Sequence, residues 1–192
     1  AEEMGLPVFP VQHHYAHILS CMAENEWTTK KKVIGVSFDG TGYGTDGTIW
    51  GGEILLADYD SFKRWGCIEP FAQTGGDASA KEGWRIAVSL LGKIYGKEIA
   101  LSIIETLGLC ESKLAKLQFT MEERGINTVK STSAGRLFDA VSAILGIRKA
   151  STFEGEASTS LQFAAEKWLD SQEEKIAGYE DFVESGVITE YR

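Results

Sequence analysis

The 192-residue sequence holds three histidines, and all fall in one window of five: His13, His14 and His17. His13 and His17 are four apart, so on a helix their imidazoles stack on one face. That is the spacing at which two rings share a metal ion. It equally suits two histidines with local hydrogen bonds. No Glu directly follows His13, so the metalloprotease pattern is absent. Asp39, at the end of a short apolar run, is the natural third ligand among the residues present. Taken alone, it also reads as a turn-initiating Asp that caps its own glycine loop. Two His and one carboxylate leave coordination positions open for a substrate oxygen and suit Fe(II) or Zn(II).

A second chemistry is suggested by glycine. Six of the thirteen residues from Gly40 to Gly52 are Gly, a density that lets backbone N–H groups approach an anion closely. The stretch also reads as a decorated β-hairpin, because Thr45-Asp46-Gly47-Thr48 contains a hairpin turn signal. It does not match the P-loop, and no Lys follows the glycines. Gly75-Gly76-Asp77 leads into a helix start, where free N–H groups and the dipole favour an anion, although most such junctions bind nothing. Gly135-Arg136 with Asp139 opens another helix. Arg136 there could fork onto a phosphate or pair with Asp139 at i,i+3. Phe153-Glu154-Gly155-Glu156 is a weaker signal of the same kind.

The elements that must position these residues follow from periodicity. His13 to about Glu26 reads as a helix with Tyr15, Ile18, Leu19 and Met22 on one face. Val33–Phe38 reads as a buried strand, Ile49–Ala57 as its partner, and Ser61–Ile68 as a third. Leu6–Phe9 passes as a short edge strand, and the segment after Pro70 as irregular. Helices are expected over Ala80–Leu91, Ile99–Leu107, Ser112–Glu123, Gly135–Leu145 and Glu156–Leu169. Three adjacent strands followed by helices predict an α/β lobe with a helical insertion. The organisation expected is a His-bearing helix over 1–32, the strands and helical insertion over 33–170, and a polar tail over 171–192.

Composition excludes several classes. Hydrophobic content of 43% and charged content of 24% are ordinary for a globular protein. The balance of 28 Asp+Glu against 19 Lys+Arg, −9 formally, argues against a dedicated nucleic-acid surface. No apolar stretch approaches a membrane span and no signal peptide opens the chain. Cys21, Cys67 and Cys110 are widely spaced without C-x-x-C, which fits free thiols in a cytoplasmic protein.

Together the strings VQHHYAHILSCMAE, SFDGTGYGTDGTIWGGE, GGD-x-x-x-KEGWR, STSAGRLFDAV and FEGEAS resemble, in order and spacing, the C-terminal domain of HypF-type carbamoyltransferases. That domain is related to the tRNA threonylcarbamoyl-transferase subunit and to antibiotic O-carbamoyltransferases. The resemblance covers roughly Pro7 to Ala165. It implies an actin/Hsp70/sugar-kinase fold built on ribonuclease-H-like lobes. It further implies transfer of carbamoyl from carbamoyl-adenylate to the C-terminal cysteine of HypE, on the route to the cyanide ligands of [NiFe]-hydrogenase. The adenylate comes from carbamoyl phosphate and ATP in a preceding domain. His13 and His17 would be metal ligands with Asp39 beside them. Gly40, Thr41, Gly42, Gly44, Gly75, Gly76, Asp77 and Arg136 would face the nucleotide, with Mg²⁺ admissible there. Asp39 and His14 are the candidate catalytic side chains.

The chain departs from the family pattern at Gly83, where Pro is frequent, and at Phe153-Glu154-Gly155-Glu156, where Tyr-Glu-Gly-Gln is usual. The family's acylphosphatase-like, zinc-finger and adenylate-forming domains do not occur in these residues. Its closing segment, with a further metal-ligand Asp, is also missing. A fragment is therefore expected, one that binds metal and nucleotide weakly and does not turn over alone. The competing expectations are a non-catalytic nucleotide-binding module and a plain ATPase or kinase of the same superfold. The histidine pair separates the last, since such enzymes work with Mg²⁺ and carboxylates.

Overall fold

In the computed structural model, which describes residues 4–171, Gln12 starts the first element. Its Oε1 accepts the Tyr15 N–H at 2.9 Å and so caps helix α1 (His13–Glu24). The expected apolar stripe is the buried face: Tyr15, Ile18 and Met22 are enclosed, and Leu19 packs beside them. Ile18 lies so close to Gly35 that a Cβ there would collide with it. This seats the helix directly on the strand beneath.

That strand, β1 (Val33–Tyr43), forms an antiparallel hairpin with β2 (Ile49–Ala57). The turn runs from Gly44 to Gly47, the Gly47 N–H donating to the Gly44 carbonyl at 3.1 Å. Gly47 has φ +75°, and Asp46 Oδ1 accepts from Thr48 N, Thr48 Oγ1 and Trp50 Nε1. β1 runs past its expected end at Phe38, but not in register. Phe38 faces Gly52 and Gly42 faces Trp50, so Asp39, Gly40 and Thr41 stand opposite Gly51 alone. A bulge of this kind bends the strand and re-aims its side chains.

β3 (Phe62–Cys67) extends the hairpin antiparallel to β2. β4 (Phe71–Thr74) pairs antiparallel with β5 (Thr128–Ser131), and β5 meets β2 in parallel at Ile49↔Ser131. The result is a mixed five-stranded sheet, ordered β1-β2-β5-β4 with β3 also on β2. The stretch after Pro70, read as irregular, is thus a strand; four residues are too few for alternation to show. Leu6–Phe9 forms no strand, and Pro7 and Pro10 remove ladder donors there.

The helix expected over Ala80–Leu91 is two helices, α2 (Ala78–Lys81) and α3 (Gly83–Tyr95), broken at Glu82 with φ −101°, ψ 80°. Gly83 lets the new helix touch the Asp139 carbonyl, since a Cβ there would lie 2.7 Å from that oxygen. The remaining helices are α4 (Lys97–Leu107), α5 (Ser112–Arg124), α6 (Ala134–Ile144) and α7 (Glu156–Asp170). Two cores result. Tyr15, Ile18, Met22, Trp50, Leu55 and Ala57 join α1 to the sheet. Phe71, Ile86, Val88, Leu91, Ile104 and Phe119 lie among the helices and β4. The tail expected over 171–192 lies, from 172 on, outside the described residues. Among the described residues no helix is long and apolar enough to cross a membrane.

Candidate metal centre

The helix and the bulge bring three side chains to one point. His13 opens α1 and His17 follows one turn later. Their rings are edge-to-face with centroids 4.6 Å apart, and the two Nε2 atoms are 3.2 Å apart. From the bulge, Asp39 Oδ2 lies 2.6 Å from His13 Nε2 and 3.6 Å from His17 Nε2. One donor atom from each residue lies within 4.8 Å of the others, and both imidazoles stand open to solvent. Ligands about 2.0–2.2 Å from a shared ion sit roughly 3–3.5 Å from one another. The two separations at His17 are therefore close to a ligand set, and the His13–Asp39 separation is that of a hydrogen bond.

Asp39 is held from its other side. Oδ1 accepts the Gly40 N–H at 2.6 Å. Burial pushes its carboxyl up. The His13 hydrogen bond, the Gly40 N–H and the nearby imidazole charge outweigh this and leave it below its ordinary value. The Gly40 carbonyl accepts Ser133 Oγ at 2.6 Å, and the same oxygen caps α6 by accepting Arg136 N–H at 3.1 Å. Gly135 lies against the Gly40 Cα, where a Cβ would approach to 2.9 Å. The backbone that carries the carboxylate is thus tied to the start of α6.

The other expected site residues divide. His14 is fully buried, and its ring is held below its ordinary pKa by burial, against the pull of Glu53. Gly42 and Gly44 sit in tight packing: a Cβ on Gly42 would strike the His14 ring, and one on Gly44 the Trp50 indole. Their want of a side chain is steric. Thr41, Gly76 and Asp77 line one cleft of about 450 Å³. Thr41 and Arg136 line another of about 290 Å³, with Lys81, Asp139 and Glu154. Gly75 and Gly76 both have positive φ, +115° and +57°. Arg136 Nε pairs with Asp139 Oδ2 at 2.6 Å, both largely buried. Burial raises the Asp139 carboxyl more than Arg136 lowers it.

Sequence reasoning missed a polar network behind this site. Glu53, fully buried, accepts from Arg64 Nε at 2.7 Å, from Thr132 Oγ1 at 2.5 Å, and from the Gly51 and Gly52 N–H groups. Arg64 also reaches Asp46 at 3.1 Å and covers the Trp50 ring at 4.2 Å. The available signal was a lone carboxylate inside the otherwise apolar strand Ile49–Ala57.

Residues 35–188 match the family described as carbamoyltransferase, Kae1-like domain, second subdomain, and residues 1–24 match the HypF Kae1-like domain. The chain is 40% identical over 167 residues to carbamoyltransferase HypF of Rhodobacter capsulatus, which covers 86% of this chain and 22% of that protein. It is 39% identical over 168 residues to a probable carbamoyltransferase HypF of Methanocaldococcus jannaschii, covering 88% and 22%. Among solved structures, full-length HypF in a phosphate- and nucleotide-bound form superposes with a TM-score of 0.72 at 39% identity, over 81% of this chain and 20% of that one. T. kodakarensis HypF gives 0.75 at 33% identity, over 86% and 22%. The chain spans about a fifth of the length of these relatives. On the strength of a match that runs through most of its residues, the chain belongs to the HypF carbamoyltransferase family, as its Kae1-like domain.

Proposed function

We propose that this chain is part of a carbamoyltransferase that moves the carbamoyl group of carbamoyl-adenylate to the C-terminal cysteine of a HypE-like partner during synthesis of the [NiFe]-hydrogenase cyanide ligands. The fold reading that goes with it is a lobe of the actin/Hsp70/sugar-kinase type. The observation that carries the proposal is the convergence of His13, His17 and Asp39 from α1 and the β1 bulge. Their donor atoms suit an iron or zinc ion. Such an ion, when bound, supplies a Lewis acid for the carbamoyl oxygen. In the transfer, the partner's thiolate forms a bond to the carbamoyl carbon, and the bond from that carbon to the adenylate phosphate oxygen breaks. The nucleotide leaves with the electron pair.

The chain's own residues hold the leaving side. Thr41 borders both clefts, so a nucleotide phosphate at the bulge would meet the backbone from Gly40, with Gly76 and Asp77 on one flank and Arg136 on the other. A nucleotide is named for one solved relative, full-length HypF, of which this chain covers 20%. Mg²⁺ is admissible with ATP, and the carbamoyl phosphate and ATP chemistry is assigned to parts of the protein outside these residues.

The test is metal content by plasma mass spectrometry on chelator-free protein, beside His17→Ala. Near-stoichiometric iron or zinc that disappears in the variant is expected. Absence of metal from both proteins would sink the metal reading. It would favour a non-catalytic nucleotide-binding module, for which the two clefts around Thr41 are the supporting feature.

A further inference from the structure

Gln12 commits both hydrogens of its side-chain amide. Oε1 accepts the Tyr15 N–H, while Nε2 donates to His14 Nδ1 at 3.1 Å and to the Tyr43 carbonyl at 3.2 Å. The first of these bonds makes His14 Nδ1 an acceptor and assigns the ring proton to Nε2. That Nε2 is buried with no hydrogen-bond partner among the described residues. Among the described residues the Gln12 amide is thus the one hydrogen-bonding hold on an enclosed ring.

The hold is passed on by contact. His14 lies edge-to-face against His13 at 5.2 Å and 90°, and His13 lies edge-to-face against His17 at 4.6 Å. Gly42 backs both rings, with its missing Cβ position 2.9 Å from His13 Cδ2. The His13 imidazole is bracketed by two rings and a backbone, and its Nε2 faces Asp39. We infer that Gln12, acting through the buried ring of His14, is the positioning residue that orients His13 toward Asp39 and thereby sets the affinity of the three-residue centre for a divalent metal ion. His14, expected from the sequence as a catalytic group, takes part as the transmitting ring. The inference rests on the metal reading of the site. Groups that orient a metal-bound imidazole typically change affinity tenfold to a hundredfold.

The experiment is calorimetric titration of the metal-free chain with Zn²⁺, with thermal unfolding of the same samples. Gln12→Glu keeps an oxygen for the Tyr15 N–H and places a charge that the helix N-terminus favours, so the cap survives. It loses the amide hydrogens to His14 and Tyr43. The unfolding temperature is expected to stay at the wild-type value while zinc affinity falls about tenfold to a hundredfold. His14→Phe keeps a ring in the slot but offers Gln12 no acceptor, and the same loss is expected. Wild-type zinc affinity in either folded variant overturns the inference. So does a loss confined to Gln12→Ala that tracks its unfolding temperature, because that is capping alone. If the wild-type chain takes up no zinc, the metal reading fails by itself. The positioning is then decided by the ¹⁵N shifts of the His13 ring in metal-free protein: movement in Gln12→Glu supports it, and unchanged shifts overturn it.

Discussion

His13 Nε2 lies 2.6 Å from Asp39 Oδ2, a bond that ties the first residue of α1 to the β1 bulge across 26 positions of sequence. Neither element makes the site alone. The helix supplies two imidazoles on one face, and only the register shift after Phe38 turns a carboxylate toward them. Asp39→Asn keeps an oxygen for the Gly40 N–H but carries no charge. Both partners are part-exposed, so the expected stability loss is about 1 kcal/mol or less. Zinc affinity is expected to fall at least about tenfold by calorimetry; an unchanged value removes Asp39 from the ligand set.

The glycines of the hairpin separate into two kinds under substitution. Gly42→Ala drives a methyl into the His14 ring and is expected to cost about 1–3 kcal/mol in urea unfolding. Gly40→Ala meets nothing nearer than Arg136 Nη1 at 3.9 Å and is expected to stay within about 0.5 kcal/mol of the parent. Equal costs would mean that ring packing does not set the need for Gly42.

Glu53→Ala leaves Arg64 without its buried partner and removes the carboxylate to which the Gly51 and Gly52 N–H groups donate. The expected loss is about 3 kcal/mol. A chemical-denaturation midpoint near that of the parent would show that the network is dispensable.

Asp139 gives a pH signature. Burial raises its folded-state carboxyl above the ordinary 3.8 despite Arg136. Folding therefore favours the protonated form, and the contribution is fully present below 3.8 and lost as pH rises through the raised value. Asp139→Asn is expected to flatten the dependence of unfolding free energy on pH in that window. An unchanged slope would assign it to other carboxylates.

Much of this was legible because single residue types carried it. The i,i+3/i+4 stripe of Tyr15, Ile18 and Met22 located α1, and Asp46-Gly47 located the turn, since few residues tolerate its positive φ. β4 and β5 escaped because four residues show no period, and their pairing depends on partners more than fifty positions away. The break at Glu82 stands beside the close fit of Gly83 against Asp139, a tertiary contact that no local pattern encodes. At the site, the metal-ligand candidates could be read from their spacing. The enclosure of His14 and the hold of Gln12 could not, because both come from the tertiary approach of Gly42 and Tyr43.

The sheet carries one more implication. Its two halves share a single parallel pair, Ile49↔Ser131, and each half has its own apolar core. His13, His17 and Asp39 all belong to the half that is closed by β3 at Cys67. During synthesis every one of these donors is therefore translated, with its hairpin and its helix, before the helical half. The three donors are close in sequence, while the bulge that carries Asp39 gains its hold from Ser133 only when the start of α6 arrives. The clefts around Thr41 must await residues from Gly76 to Gly155, so their walls are completed only after the three donor side chains have been made.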